Sequence, residues 1–183
     1  RNADQAAQAV AQAQALGGEI DVLVNSAGAA KRTPPNELTA QAWHDAMDAK
    51  YFSTLHVLDP VTRAMAARGQ GAVVNIIGAG GKVANPIHMP GGAANAALML
   101  VTAGMAAAYG PKGVRVNAIN PGQTLTDRLK EGMAAEARMK GISAEQAQEQ
   151  ATARIPLGRM AEPEEIANAT VFLASGKASY ISG

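Results

Sequence analysis

A chain of 183 residues is long enough for one domain with a core of its own, and no low-complexity linker divides it. Sixteen Lys and Arg against fifteen Asp and Glu leave a net charge of +1, without the basic excess that binds nucleic acid or anionic membranes. Cysteine is absent, which excludes a disulfide framework and thiolate metal sites and accords with a cytoplasmic protein; the three histidines, His44, His56 and His88, lack metal-pair spacing, so no metal is expected.

Residues 3–16 place Ala6, Val10, Ala13 and Leu16 at helical spacing, with Gly17-Gly18 as a stop. Residues 20–25 then read as a short apolar strand of the kind buried on both faces of a parallel sheet. After Pro34-Pro35, Thr39 can cap a long helix with Trp43, Met47, Tyr51 and either Leu55 or Leu58 on one face, and Pro60 should kink or end it. Residues 72–77 form a second strand followed by a glycine-rich loop. Residues 91–109 form an alanine-rich helix stopped by Gly110-Pro111, and residues 114–119 a third strand ending at Asn120-Pro121-Gly122. The stretch 93–108 is too short and too weakly apolar for a membrane span, since Asn95, Thr102 and Gly104 interrupt it, so a buried helix is expected. Residues 124–159 are polar and helical, and Glu162-Pro163-Glu164-Glu165 opens a last helix to about residue 175.

Alternating helices and short apolar strands predict an α/β fold, a doubly wound parallel sheet with helices on both faces, in one domain over residues 1–183. Three strands alone would leave the first as an open apolar edge. Residues ahead of Arg1, or another chain, are expected to complete the sheet.

The phosphate-binding pattern G-x-G-x-x-G is approached only by Gly78-Ala79-Gly80-Gly81-Lys82-Val83, which lacks the third glycine and runs into Pro86 and Pro90; it is read as a decoy. Four other segments carry more. Asp21-Val22-Leu23-Val24-Asn25-Ser26-Ala27-Gly28 resembles the strand-plus-N-N-A-G element of the short-chain dehydrogenase/reductase family, and Gly113-Val114-Arg115-Val116-Asn117-Ala118-Ile119-Asn120-Pro121-Gly122, with Thr126 beyond, resembles its G-[IV]-R-V-N-x-[IV]-x-P-G element. Arg159 with Pro163-Glu164-Glu165-Ile166-Ala167 and Phe172-Leu173-Ala174-Ser175 matches the family's closing helix, and residues 178–183 match the run into its last strand.

The resemblance implies a Rossmann-like fold and a nicotinamide cofactor, NAD or NADP. Asn25, Ala27, Gly28, Ile76, Asn95, Pro121, Gly122, Thr124 and Thr126 are the implied contacts. It also implies a serine, a tyrosine and a lysine for proton transfer, plus an asparagine on the preceding helix. Aligning Asn75-Ile76-Ile77-Gly78 with the family's N-I-S-S puts Gly78 at the serine, Gly91 at the tyrosine and Asn95 at the lysine, while Lys50 takes the asparagine position. Losing a general acid alone typically removes 10² to 10⁴ in rate, on the order of 3 to 5 kcal/mol of barrier.

Two functions stay open. One is an oxidoreductase of altered mechanism, in which His88 or Lys50 orients the substrate and Asn95 holds the nicotinamide ribose. The other is a catalytically silent relative that keeps the fold as a nucleotide-binding or subunit scaffold. Residues 123–159 fall where the family has its substrate lid, and Met133, Met139 and Ile142 there suggest a hydrophobic small-molecule substrate. The resemblance further implies a homo-oligomer built through the helices at 39–68 and 91–109.

Overall fold

The computed structural model describes residues 2–28 and 30–183. Three strands, β1 (Val22–Asn25), β2 (Gly71–Ile76) and β3 (Val114–Ile119), form one parallel sheet in the order β1-β2-β3, with Asn25 opposite Asn75 and Ile76 opposite Ile119. Strand follows strand in one direction across the sheet. Crossovers of one hand therefore put both connecting helices on the same face. These are α3 (Ser53–Arg68) and α4 (Met89–Tyr109), and the core lies between them and the sheet: Leu58, Val61 and Met65 from α3, Ala106 from α4, Val73, Val114 and Val116 from the strands. The terminal helix α7 (Pro163–Ala174) packs against β2 and β3, and α1 (Ala3–Gly17) lies on α3. The predicted α/β architecture is the observed one.

Two strand expectations shift. β1 begins at Val22 rather than at residue 20, because Arg68 takes the Ile20 carbonyl at 2.6 Å and the Asp21 carboxylate at 2.9 Å. It is also not covered on both faces: Val22 and Val24 are 46% and 43% exposed, as an edge strand flanked on one side only.

The predicted helix at 39–68 holds a surprise in its middle. Thr39 caps α2 (Ala40–Ala46) by accepting from the Ala42 amide at 3.2 Å, as expected. A wide π-turn then spans Met47–Phe52, closed by the Ser53 amide donating to the Asp48 carbonyl five residues back, before α3 begins. One extra residue per turn rotates everything before it. The inward face therefore runs Ala46, Ala49, Lys50, Thr54, Leu58, and Trp43, expected inside, is 40% exposed. Pro60 neither ends nor interrupts the helix, which continues to Arg68. It removes a donor from one turn, but Leu58, Val61, Thr62 and Met65 on either side are buried and hold the segment helical.

α4 opens two residues earlier than predicted, since Pro90 fits the first turn, where its missing N–H costs nothing. The segment 86–112 is long and apolar enough, by length and composition, to cross a bilayer; here α4 buries Gly91, Ala94, Asn95, Leu98, Thr102 and Ala106 against the rest of the fold. Beyond β3, α5 (Asp127–Lys140) and α6 (Ala144–Thr152) pack on each other around Leu129, Met133, Ala137, Ala147 and Met160, a small core of their own.

Candidate active site

In a parallel α/β sheet, ligands bind beyond the carboxyl ends of the strands, where successive crossovers leave a crevice. Here those ends are fixed by a buried relay. Asn25 Nδ2 donates to Asn75 Oδ1 at 2.9 Å, Asn75 Nδ2 donates to Thr102 Oγ1 at 3.0 Å, and Thr102 Oγ1 donates to the Leu98 carbonyl at 2.8 Å. Asn25, implied by the resemblance as a cofactor contact, thus spends its amide locking β1 to β2, and Asn75 in turn locks β2 to α4. Asn75 and Thr102 were not singled out from sequence, where both read as ordinary residues of a strand and a helix.

Above this relay lies a cavity of about 520 Å³. Lys50, His88, Asn95 and Gly78 all line it, as do Ile76, Pro121, Gly122, Thr124 and Thr126, so nine residues anticipated from sequence converge. Asn25 and Ala27 do not line it. Gly28 sits beneath Lys50: its φ of +139° suits glycine, and a Cβ there would come 3.1 Å from the Ala49 carbonyl and 3.6 Å from Lys50 Cγ.

The substituted catalytic positions prove to be structured. Gly91, at the family's tyrosine position, has no room for any side chain: a Cβ would lie 2.6 Å from His88 Nε2 and 2.8 Å from Ala30 Cβ. The His88 imidazole occupies that volume. Gly80 serves the same ring from the other side, since its Cβ would lie 3.1 Å from His88 Cδ2, so the glycine-rich stretch read as a decoy is shaped around a side chain and not around phosphate. Gly78, at the serine position, has φ +123°, a conformation that serine adopts poorly. A tyrosine at Gly91 is therefore sterically blocked, and a serine at Gly78 is strained by its backbone.

Asn95, 2% exposed, donates its Nδ2 to the Gly78 carbonyl at 3.3 Å, while its Oδ1 is buried without a partner. Thr124 Oγ1 is likewise buried and unpartnered. Two such orphaned acceptors beside the open backbone of Pro121-Gly122 suit the amide and hydroxyl groups of a nicotinamide riboside. Thr126, exposed at the start of α5, makes only a 3.4 Å contact to the Thr124 carbonyl.

Lys50 is 8% exposed, and among the described residues no carboxylate pairs with it. Burial, helped by the Arg128 charge, pushes its ammonium down from 10.5 to about 8. His88 is pushed down to about 4 by burial and by Arg32, Lys50 and Arg128, so it is a neutral imidazole at pH 7, its Nδ1 buried without a partner. Arg32 and Arg128, which the sequence reading passed over, complete the cavity. Both sit in charge-rich stretches, Lys31-Arg32 and Asp127-Arg128, that read as solvated surface.

Met133 is 2% exposed inside the core between α5 and α6, and neither it nor Met139 nor Ile142 lines the cavity, so the methionines that suggested a hydrophobic substrate are not the lining. Leu129 and Ile155 supply the apolar wall on that side.

The family profile described as Enoyl-(Acyl carrier protein) reductase matches residues 1–183. Gluconate 5-dehydrogenase of Gluconobacter oxydans (strain 621H) is 32% identical over 166 residues, 91% of this chain and 61% of that protein. Cis-4-hydroxycyclohexanecarboxylate dehydrogenase of Sinomonas cyclohexanicum is 35% identical over 181 residues, 98% of this chain and 68% of that protein. Among solved structures, a gluconate 5-dehydrogenase from Burkholderia cenocepacia J2315 in complex with NADP and tartrate superposes with a TM-score of 0.87 at 29% identity, covering 99% of this chain and 68% of that one.

Proposed function

This chain belongs to the short-chain dehydrogenase/reductase family, and within that family we propose that it serves an NAD(P)-dependent oxidoreductase in which His88 and Lys50 take over the proton transfer of the family's tyrosine and lysine. The observation that carries this reading is the His88 ring seated against Gly91, in the volume of the expected tyrosine, with the Lys50 charge close enough to depress its pKa. The relatives named with NAD(P)-linked chemistry support the cofactor, and the orphaned Asn95 Oδ1 and Thr124 Oγ1 fit its nicotinamide half.

The bound dinucleotide supplies or accepts the hydride at the reacting carbon. What this chain adds is the proton. In carbonyl reduction, neutral His88 donates an N–H hydrogen bond to the substrate oxygen, which orients the carbonyl and polarises it. As negative charge grows on that oxygen, the imidazole gives up this proton and takes one at its other nitrogen, with the Lys50 ammonium of the same cavity as the proton reservoir, so a C=O π bond becomes C–H and O–H while one ammonium becomes an amine. Lys50 then recovers a proton from water. At about 8, its pKa keeps it mostly charged at neutral pH yet a ready donor. A silent scaffold has no use for such a group, because a buried, unpaired lysine costs stability that an apolar residue would return.

The test is turnover by the intact protein with NADH and NADPH on a panel of ketones and oxo acids. Reduction should hold level below pH 8 and decline above it as Lys50 loses its proton. Lys50→Met and His88→Ala should each lower kcat by roughly 10² to 10⁴ while leaving dinucleotide binding within a few-fold. Wild-type turnover that either variant leaves untouched refutes the assignment.

A further inference from the structure

We propose that the lid side of this cavity is a carboxylate site, formed by Arg32 and Arg128 with Lys50 behind them, and that the substrate is a hydroxy acid or an oxo acid. The first ground is an unmet donor. Arg32 Nη1 is buried with no hydrogen-bond partner, and the guanidinium is seated on α5 at Gly132, where a Cβ would lie 2.8 Å from Nε. Glycine at that point opens the seat. The loop carrying Arg32 is tied in place by the Thr33 amide donating to the Ile87 carbonyl at 2.9 Å, next to His88.

Lys50 is the second ground: more than nine-tenths buried, it faces the same cavity with no carboxylate paired to it among the described residues. Arg128 is the third. Its Nη1 donates to the Gly28 carbonyl at 2.7 Å, which holds the head of the side chain over the cavity, and among the described residues the other donors of the fork have no partner.

Only one carboxylate lines the cavity among the described residues, Glu136; its charge reaches Arg32 but makes no ion pair with it, and its Oε1 is paired with Lys140 Nζ at 2.7 Å, while Arg154 adds a further cation to the lining. Cations therefore exceed anions within the cavity although the chain as a whole is nearly neutral. Concentrated in a half-enclosed space, unpaired cations are costly until an anion enters, and a planar carboxylate matches the guanidinium fork with two parallel hydrogen bonds. Leu129 and Ile155 add apolar surface to the same cavity for the carbon body of such an acid. The carboxylate site stands on the cavity alone; the statement that the reacting carbon lies beside it rests on the oxidoreductase reading.

The experiment is calorimetry on the intact protein, with and without saturating NADP⁺, using D-gluconate, succinate and benzoate as probes against the uncharged counterparts D-glucitol, succinamide and benzamide. At least one acid should bind tenfold or more tightly than its neutral counterpart in the presence of dinucleotide. That preference should weaken as salt rises and fall about tenfold in Arg32→Gln and in Arg128→Gln, while Arg32→Lys, which keeps the charge, should lose less. Arg128 is exposed, so its variant reports even if Arg32→Gln fails to fold. Equal affinity for acids and neutral counterparts across the panel overturns the proposal. So does displacement of the acids by dinucleotide, which would assign these cations to cofactor phosphate. Acid binding that depends on both arginines in a protein that binds no dinucleotide would keep the carboxylate site and reject the oxidoreductase reading.

Discussion

Replacing Lys50 by Met should make the protein more stable and less active, and the size of the gain follows from its burial. Its fall from 10.5 to about 8 means that folding opposes the charged form. At 1.36 kcal/mol for each tenfold change in the proton equilibrium, the penalty is about 3 kcal/mol wherever the group is charged in both states. Methionine has nearly the same reach and no charge, so it fills the space between Gly28 and the π-turn and removes the penalty. The sign with pH is definite: the folded pKa lies below the unfolded one, so the unfolded chain holds the extra proton between pH 8 and 10.5. Wild-type stability from this group therefore rises across that window, and the advantage of Lys50→Met is complete below pH 8 and gone near pH 10.5. Urea denaturation at pH 7, 9 and 10 measures it, with the midpoint of the variant above that of the wild type at pH 7 and the two converging at the alkaline end. A variant less stable at pH 7, or a gap constant with pH, would show that Lys50 is paired or solvated and that the site has been misread.

Gly91→Ala should cost about 1 to 3 kcal/mol of stability by overpacking and most of the activity, because its Cβ must displace His88 or Ala30. Combining it with His88→Ala removes the clash with the ring but not that with Ala30, so it should restore part of the stability and none of the activity, a non-additivity that urea melts and kcat will show. Asn75→Ala strands the partners of a buried relay and should lower stability by roughly 2 to 3 kcal/mol, while Asn25→Ala, at the half-exposed end of the same relay, should cost less. We also propose that copies pair through α4, an apolar helix whose outer face leaves Leu100 77% exposed. Leu100→Glu should then shift sedimentation toward the monomer.

What was legible in the sequence followed from periodicity. The apolar runs at 72–77 and 114–119 fall within one residue of β2 and β3, and Thr39, Gly18 and Pro163 mark helix ends where capping chemistry says they should. The π-turn at Met47–Phe52 was not legible, because an inserted residue has no pattern of its own and only displaces the register of what surrounds it. It is also what turns Lys50 inward, which a uniform 3.6-residue helix does not predict. Arg32 and Arg128 escaped for a related reason: a charged residue in a polar stretch is usually solvated, and only the tertiary approach of α5 to the loop after β1 encloses these two.

The residues at the substituted positions fit their surroundings. Gly91 and Gly80 flank His88, Gly78 faces Asn95 and Gly132 seats Arg32, while Gly28, which belongs to the N-N-A-G-like element, underlies Lys50. Each added Cβ would approach the side chain or backbone of its polar partner to 3.5 Å or less. Substituting any one of these glycines would push against a polar residue of the cavity wall. Histidine could replace the tyrosine only after, or together with, the glycine that makes room for its ring. The tyrosine and the imidazole are alternative occupants of one volume, and the proton transfer proposed for this chain follows from the imidazole's place in it.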